Sequence, residues 1–385
     1  MSGVEFDPRE TNSILEHFAD LDDPRSEINR RHLLGDLIVI CVLAVIAGAD
    51  GPTAIHEWAK PNEEWLKQYL PLPSGIPSRC TFRRLLSLLK PDAFQNCFQS
   101  WVAQLQSTKL LDEPEIIAID GKALRRSHDG SKNLGPLYLV SAWAANAGIS
   151  LGQLATAEKS NEITAIPRLL KVVDVHGAIV TIDAAGCQRN IAELILQGKG
   201  DYVLALKGNQ ESLHQDVVQY LITHMENDFA DITARRHKEV AKGHGRVDEI
   251  VYYQVPVPPQ ISQKHAWPGM RSIGVAIRMS EQADKHSYDV RYYISSLRLG
   301  VKQFARAVRK HWSIENTLHW CLDVTFREDE SRIRHRHEAD NLAWLKRFAI
   351  SLLKQQDDKR SIAMRRRVAG WNTDYLAQVV GLTVT

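Results

Sequence analysis

Apolar residues recur at helical spacing through the first hundred positions of the chain. Leu37 to Ala49 is an apolar run of 13 residues, which predicts a buried core helix. Ser78 is a typical N-cap for a further helix that ends before Pro91. We therefore predict that residues 8 to about 108 are helical.

The pattern changes at residue 116, where short apolar runs typical of buried strands alternate with segments that favour helices. We predict strands at 116–120, 138–145, 149–158, 178–186 and 201–207, and helices at 161–174 and 188–198. The order β-β-β-α-β-α-β predicts an α/β protein with a mixed sheet and helices on its faces.

Residues 208–290 interrupt this order. The stretches 247–257 and 271–279 are typical of strands, so we predict a β-rich insertion that leaves the central sheet intact. One more strand is predicted at 291–297, and the chain from 301 to about 355 is predicted to be helical.

Composition excludes several classes of protein. The chain has 385 residues, of which 44% are hydrophobic and 24% charged, as in ordinary globular proteins. Its five scattered cysteines indicate reduced thiols in a cytoplasmic protein and argue against a cysteine-based zinc site. The longest apolar run is shorter than the roughly 20 residues of a membrane span, so no membrane partner is expected.

The positive charge is concentrated near the C-terminus. Residues 331–367 contain eleven Lys and Arg against four Asp and Glu, a local excess of +7 in a chain of net charge +2. Such an excess favours an anionic partner, and nucleic acid first. The alternative is an ordinary solvated helix surface.

Two predicted strands end in a carboxylate, at Asp120 and Asp183. A carboxylate at the end of a buried strand is costly unless it is paired or binds a cation, and a set of carboxylates suits Mg²⁺ or Mn²⁺. Glu315, on a predicted helix with His311 and His319, is the candidate third ligand. The alternatives are helix or turn caps for the two Asp residues and an ion pair for Glu315. Zinc is disfavoured because the spacing of the two histidines is not the metalloprotease one.

Several long motifs resemble bacterial insertion-sequence transposases of the DDE type, in the group of the H-repeat-associated proteins. The motifs occur in the expected order and are AIDGK (118–122), TIDAAGCQ (181–188), DYVLALKGNQ (201–210) and HWSIENTLHWCLDVTFREDESR (311–332). Residues 23–51 and 75–86 resemble the helical domain that precedes the catalytic domain in that group.

The resemblance implies an RNase H-like fold with a DDE triad formed by Asp120, Asp183 and Glu315. It divides the chain into a helical N-terminal domain (1–108), an RNase H-like catalytic domain (109–355, with the insertion at 208–290) and a C-terminal tail (356–385). Between Asp183 and Glu315 lie 131 residues. The β-rich insertion accounts for that length.

The sequence departs from the family at one motif. Many relatives carry Tyr, Arg and Lys around the Glu, where this chain has Val308, His311 and Leu322. Because those residues handle the DNA end and its hairpin in relatives, whether a hairpin forms here stays open. The nearby Arg309, Lys310, His319 and Asp323 are candidates to serve in their place, and His311 itself is a candidate DNA contact.

The activity implied is phosphodiester hydrolysis followed by strand transfer at the ends of an insertion sequence, with two Mg²⁺ ions held by the triad. The expected partner is DNA, as terminal repeats and target duplex, bound by a homodimer in the cytoplasm at the nucleoid. Lys122 and Lys207 are candidate phosphate contacts, or remain solvated. The expected contacts to backbone phosphates are Arg332, Arg334 and Arg336.

Two rival hypotheses remain at this point. The first is a domesticated or decayed element that binds DNA without cleaving it. The second is an unrelated Mg²⁺-dependent hydrolase of small phosphoesters. The complete triad argues against the first, and the C-terminal basic excess argues against the second.

Overall fold

The computed structural model of the chain describes residues 17–382 except 19, 29, 108–112, 131–133, 157–161, 244–245 and 283–284. The predicted helical start at residue 8 and the predicted boundaries at 158 and 161 lie outside the described residues. The strands are β1 Ile116–Leu124, β2 Leu137–Ala144, β3 Ile149–Thr156, β4 Ile179–Ile182, β5 Asp201–Leu206, β6 Arg235–Gly243, β7 Arg246–Pro256, β8 Ser272–Gln282 and β9 Lys285–Ser295.

Helices precede, connect and follow the strands. Before the sheet come α1 Leu34–Ala47, α2 Pro52–Ala59, α3 Glu63–Leu66, α4 Arg79–Leu88 and α5 Pro91–Ser107. Between strands lie α6 Glu162–Leu170, α7 Arg189–Gln197, α8 Glu211–Met225 and α9 Pro259–His265. After the sheet come α10 Val301–Ser313, α11 Arg336–Lys354, α12 Ile362–Trp371 and α13 Thr373–Val380.

The described strands form one mixed sheet of nine, in the order β3-β2-β1-β4-β5-β9-β8-β7-β6. β1, β4 and β5 are parallel neighbours, and β2 and β3 extend β1 as antiparallel strands. The predicted order β-β-β-α-β-α-β is therefore confirmed, as is a mixed sheet with helices on its faces. β2 and β4 are buried along their whole length because both faces of this part of the sheet are covered.

The predicted insertion contains strands, but it differs from the prediction in two ways. Its first part forms helix α8, whose buried Leu213, Val217 and Leu221 recur every four residues. Its strands also lengthen the central sheet, because β9 pairs with β5 from Leu206↔Tyr292 to Val203↔Ser295. The strand predicted at 291–297 is the second half of this long β9. All the added strands lie beyond β5, so none enters the middle of the sheet.

Helix α11 is buried between the sheet and the N-terminal helices. The side-chain amide of Asn341 donates to the carbonyls of Leu86 and Leu89 at the end of α4. On its sheet side, Arg347 donates to Ser141 of β2. These buried polar contacts fix α11 against both layers.

The two N-terminal helices predicted most specifically are present. α1 spans the apolar run and has almost no exposed side chain from Leu37 to Ile46. The Ser78 hydroxyl accepts a hydrogen bond from the Thr81 amide, as expected of an N-cap. Among the described residues, no single helix is long and apolar enough to cross a membrane.

Candidate functional site

The two predicted aspartates end the parallel pairing of β1 with β4. That ladder runs from Ile116↔Ile179 to Ile119↔Ile182, and the next residues are Asp120 and Asp183. β1 itself continues to Leu124, paired only with β2, so the prediction that this strand ends at residue 120 was wrong. Both carboxylates therefore lie where the sheet opens between two parallel strands, which is where α/β proteins bind ligands.

The loop after β4 holds Asp183 in place. Its Oδ1 accepts hydrogen bonds from the amides of Ala185 at 3.0 Å and Gly186 at 3.3 Å. A Cβ on Gly186 would come within 2.2 Å of Ile182 Cγ2, so the turn requires glycine. Thus the TIDAAG motif is a tight turn that presents a carboxylate at the strand end.

A second loop braces the first. The side-chain amide of Asn209 donates to the carbonyl of Ala184, and that of Gln210 donates to Cys187 at 3.0 Å. The KGNQ stretch after β5 and the DAAGCQ stretch after β4 therefore form one rigid loop pair beside the carboxylates.

Glu315 lies on an unusual helical segment. Helix α10 continues past Ser313 into π-helical turns at Ile314–His319 and Cys321–Thr325. π-helical turns are rare in proteins, and those that occur are often found at functional sites. Ile314 and Leu318 anchor the segment in the core, while the Glu315 side chain is exposed.

The environment of Asp120 shows that the acidic residues lie near one another. Burial raises the pKa of Asp120 to about 7, with further increases from Asp183, Glu162 and Glu315, against the Gly121 amide, which lowers it. The structure therefore brings the three predicted acidic residues to one edge of the sheet. It adds Glu162, a buried residue in the first turn of α6, which the sequence analysis missed. Acidic residues are common in first turns, so its local sequence carries no distinguishing signal.

The donor chemistry of this edge fits a hard divalent cation. Carboxylate oxygens are the ligands that Mg²⁺ and Mn²⁺ prefer, and a cation would relieve the mutual repulsion that raises the pKa of Asp120. Over the part of the chain that the structure describes, no three His, Cys, Asp or Glu side chains lie close enough to form a ready-made metal site. The carboxylates share an edge without being drawn into a ligand cage.

The two predicted histidines on this helix are partly buried. Nδ1 of His311 lies 3.1 Å from the Thr181 hydroxyl, and Nδ1 of His319 lies 3.5 Å from Oδ2 of Asp120. Burial lowers the pKa of His311 to about 4 and that of His319 to about 3, which keeps both rings neutral near pH 7. Within the part of the chain that the structure describes, the buried Nε2 of His319 has no hydrogen-bond partner.

An open cleft of about 460 Å³ lies between α10, the ends of β4 and β5, and the middle of β9. Its lining combines the acidic Asp183 and Glu315 with the basic Lys207 and Arg291. Trp312 forms part of the wall, with the Arg291 guanidinium 4.3 Å from its ring centre. The cleft thus offers acidic, basic and aromatic groups to one ligand.

Val308 and Leu322, which replace the Tyr and Lys of many relatives, are core residues here. Val308 packs in the apolar cluster between α10 and the sheet, and Leu322 is fully buried. Both positions therefore lack a polar group for reasons of packing.

Lys122 lies in a different environment from the one predicted. Its side chain is 8% exposed, and its Nζ lies 2.7 Å from Asp323 Oδ1 and 2.8 Å from Asp329 Oδ1. Glu328, 3.7 Å from the same Nζ, is paired with the buried Arg347 at 2.8 Å. Burial would lower the pKa of Lys122, but Glu328, Asp323 and Asp329 raise it above its ordinary value. Lys122 is thus enclosed by carboxylates, neither solvated nor facing a phosphate surface.

Arg309 and Lys310 lie on α10 but do not line the cleft. Arg309 pairs with Glu239 of β6 at 3.1 Å, and Lys310 donates to the Ala145 carbonyl at 3.4 Å. Lys207, in contrast, is exposed at the cleft. Of these three predicted DNA contacts, only Lys207 lies at the site.

The three alternating arginines do not share one conformation. Arg332 and Arg334 are exposed in a segment outside helices and strands, whereas Arg336 is the first residue of α11 and donates to the Gly135 carbonyl at 2.7 Å. Among the described residues, neither Arg332 nor Arg334 has an ion-pair partner within 4 Å.

The basic excess at 331–367 is only partly a surface property. Four of its eleven basic residues are at most 9% exposed: Lys346, Arg347, Arg365 and Arg366. Arg366, for example, donates to the carbonyls of Val45, Ala49 and Thr325, which ties α12 to α1 and to the end of the π-helical segment. The local charge of +7 therefore overstates the positive charge that is exposed to a binding partner.

These features define a mixed α/β protein whose sheet edge collects carboxylates beside a helix-lined cleft. A family model described as "Transposase DDE domain" matches residues 111–353, and one described as "DDE_Tnp_1-associated" matches residues 15–102. The chain therefore belongs to the DDE transposase family, which confirms the resemblance of its motifs. Domains of this family generally use divalent metal ions.

Relatives match nearly the whole chain. It is 36% identical over 378 residues to the H repeat-associated putative transposase YhhI of Escherichia coli (strain K12), covering 96% of this chain and 98% of that protein. It is 37% identical over 373 residues to the putative transposase YncI of Escherichia coli O157:H7, covering 96% and 94%. Among solved structures, the cryo-EM piggyBac transposase synaptic complex with hairpin DNA aligns with a TM-score of 0.37 and 11% identity, over 97% of this chain and 77% of that one. That score is too low to carry an argument.

Proposed function

We propose that this protein is a DNA transposase that hydrolyses phosphodiester bonds at the ends of an insertion sequence and transfers the freed strands to a target duplex. The observation that carries the proposal is the position of Asp120, partly buried at the opening of the sheet with Asp183 and Glu315 close enough to raise its pKa. Acidic residues gathered at a strand edge suit metal-dependent phosphoryl transfer.

Asp120, Asp183 and Glu315 would hold the cations of the reaction. Two Mg²⁺ ions bound there would activate the attacking water or DNA 3′-hydroxyl and stabilise the leaving oxygen. The protein positions these carboxylates. The loop amides fix Asp183, and the π-helical turns present Glu315. The neutral His319 contacts Asp120.

Basic residues beside the carboxylates would orient the DNA. Lys207 and Arg291 line the cleft and would contact phosphates near the scissile bond. Arg332 and Arg334 would contact phosphates further along the duplex, which gives affinity and register without reading sequence. We further propose a homodimer on DNA, at the nucleoid, and an RNase H-like catalytic domain at 109–355 that follows a helical N-terminal domain.

The test is a cleavage assay on duplex DNA that carries the inverted repeats flanking the gene, with Mg²⁺ or Mn²⁺. We expect the wild type to nick at the repeat end, and Asp120→Asn, Asp183→Asn and Glu315→Gln to abolish nicking while still binding the DNA. Glu338→Gln is the control, because it removes a carboxylate that contacts Ser87 and Arg83 away from the site.

Three outcomes would contradict the proposal. Near wild-type nicking by a triad variant removes that residue from the site. A wild type that binds the repeats but never cleaves supports a decayed DNA-binding protein, and one that shows no salt-dependent duplex binding supports a hydrolase of small phosphoesters.

A further inference from the structure

Glu162 is a buried carboxylate beside the strand that carries Asp120. It is the first residue of α6 and is 3% exposed. Its Oε1 lies 2.8 Å from the point where a Cβ on Gly121 would stand, and the Tyr138 hydroxyl lies 2.8 Å from the same point. Only glycine after Asp120 leaves room for these two side chains.

Glu162 approaches this edge from the opposite face of the sheet. Successive residues of a strand point to opposite faces, so Asp120 faces the π-helical segment while the Cα of Gly121 faces α6. The parallel ladder between β1 and β4 ends at Ile119↔Ile182. Beyond that pair β1 is paired with β2 alone among the described strands, so side chains from both faces can approach the end of β4.

We infer that Glu162 is a fourth carboxylate of the metal site, reaching the cation held by Asp120 from the α6 side of the sheet. This inference rests on the proposed function, because that function supplies the cation. Glu162 would be a metal ligand in addition to the three residues of the DDE motif.

The electrostatics of the neighbourhood support this inference. Glu162 is almost fully buried, so solvent screens its charge only weakly. After burial, Glu162 is also the largest influence that raises the pKa of Tyr138, ahead of Asp120 and Asp183. Two buried carboxylates near each other cost free energy that a bound cation offsets. The unpartnered Nε2 of His319 shows that this edge is not fully satisfied in the protein alone.

The competing explanation is structural: Glu162 would serve only as a first-turn acid of α6 and a neighbour of the Tyr138 hydroxyl. The two explanations differ in what removing the charge does. A structural carboxylate stabilises the metal-free protein, so losing it lowers stability. A metal ligand repels Asp120 in the metal-free protein, so losing its charge leaves stability unchanged or raises it, and weakens only the metal-bound state.

The experiment titrates the full-length protein with Mn²⁺ alone, followed by electron paramagnetic resonance and by the rise in Tm. We expect Glu162→Gln to match or exceed the wild-type Tm without metal, and to bind Mn²⁺ at least about tenfold more weakly, as changes around metal sites do. Glu338→Gln, the matched buried control, should titrate like the wild type. Asp120→Asn tests the site itself and should lose the metal response.

The outcomes distinguish a failure of the role of Glu162 from a failure of the proposed function. If Asp120→Asn loses Mn²⁺ binding while Glu162→Gln keeps it, the role of Glu162 is overturned and the proposed function stands. If wild type and Asp120→Asn titrate alike, the proposed function fails. If Glu162→Gln does not fold, Glu162→Asp keeps the charge but retracts it by one methylene, and an unchanged Mn²⁺ affinity of that variant overturns the inference.

Discussion

Nδ1 of His319 lies 3.5 Å from Oδ2 of Asp120, and His319 belongs to the same π-helical turns as Glu315. Because Glu315 and His319 are four residues apart, the segment presents a carboxylate and an imidazole on one side. Burial keeps the ring neutral by lowering its pKa to about 3. The ring therefore limits the positions open to Asp120 without pairing its charge.

We predict that His319→Leu separates stability from activity. The buried Nε2 has no hydrogen-bond partner, so removing it should leave the free energy of unfolding unchanged or raise it by about 1 kcal/mol. Cleavage of repeat-end DNA should fall roughly 10–100-fold, as for other residues that orient a metal ligand. Urea unfolding and the nicking assay measure the two effects. Unchanged cleavage would show that the contact does not position Asp120.

The second prediction concerns Lys122, whose ammonium group neutralises buried carboxylates. Lys122→Met should destabilise the protein by roughly 3–5 kcal/mol, because Asp323, Asp329 and Glu328 then lose a buried counter-charge. Lys207→Met, at an exposed position, should change stability by less than about 0.5 kcal/mol but weaken DNA binding. Urea unfolding followed by tryptophan fluorescence measures the first effect. A stable Lys122→Met protein with weakened DNA binding would restore Lys122 as a phosphate contact.

The local sequence pattern predicted the strands and helices around the site but not the contacts across it. Buried strands between two helical layers are continuous apolar runs, so β1 to β5 could be identified from the sequence alone. The partners of Lys122 come from about 200 residues further along the chain, and no local pattern encodes that pairing. Glu162 could not be predicted for the same reason, because only the folded sheet brings it near Asp120.

Two further misses have different physical causes. The π-helical turns at 314–325 present apolar residues at spacings that an α-helix also produces, so the sequence does not distinguish the two. Helix α8, in contrast, does carry a helical signal in Leu213, Val217 and Leu221. The strand-like stretches that follow α8 dominate the pattern of this region, so the region as a whole is predicted to be β-rich.

The third prediction is a pH dependence of stability that arises at Asp340. This carboxyl is 8% exposed, and its Oδ1 accepts a hydrogen bond from Gln153 at 2.6 Å. Burial raises its pKa to about 6 from an ordinary value of 3.8. The folded state therefore binds a proton that the unfolded state releases between about pH 3.8 and 6, so this contribution to stability is full below pH 3.8 and is lost as pH rises through 6.

Asp340→Asn removes that loss, because an amide can accept the same hydrogen bond without carrying a charge. We expect the variant to be more stable than wild type at pH 7 by at most roughly 3 kcal/mol, and about equal to it near pH 4. Urea unfolding at several pH values measures the difference. Asp357→Asn, at an exposed position, is the control and should show no such trend. A difference that does not change with pH would contradict the assignment.

Arg332 and Arg334 carry the last prediction. Two acidic residues that precede them in the sequence have other partners: Glu328 pairs with Arg347, and Glu330 pairs with Arg327. Both side chains are exposed in a segment outside helices and strands, so the two guanidinium groups face solvent. They are therefore available to phosphates, whereas Arg336 is bound to a carbonyl.

Replacing Arg332 and Arg334 by Ala should flatten the log–log dependence of DNA affinity on salt by about 1–2, since each phosphate contact contributes about 0.9. Affinity for terminal-repeat and random duplex should fall by similar factors, because phosphate contacts do not read bases. Tm should stay unchanged, as neither side chain has an ion pair in the described structure. Lys171→Ala with Lys199→Ala removes the same charge from exposed positions that follow α6 and α7, at the opposite end of the strands from Asp120, and should leave the slope as in the wild type. If both double variants flatten the slope equally, the effect reflects net charge and the two arginines are not DNA contacts.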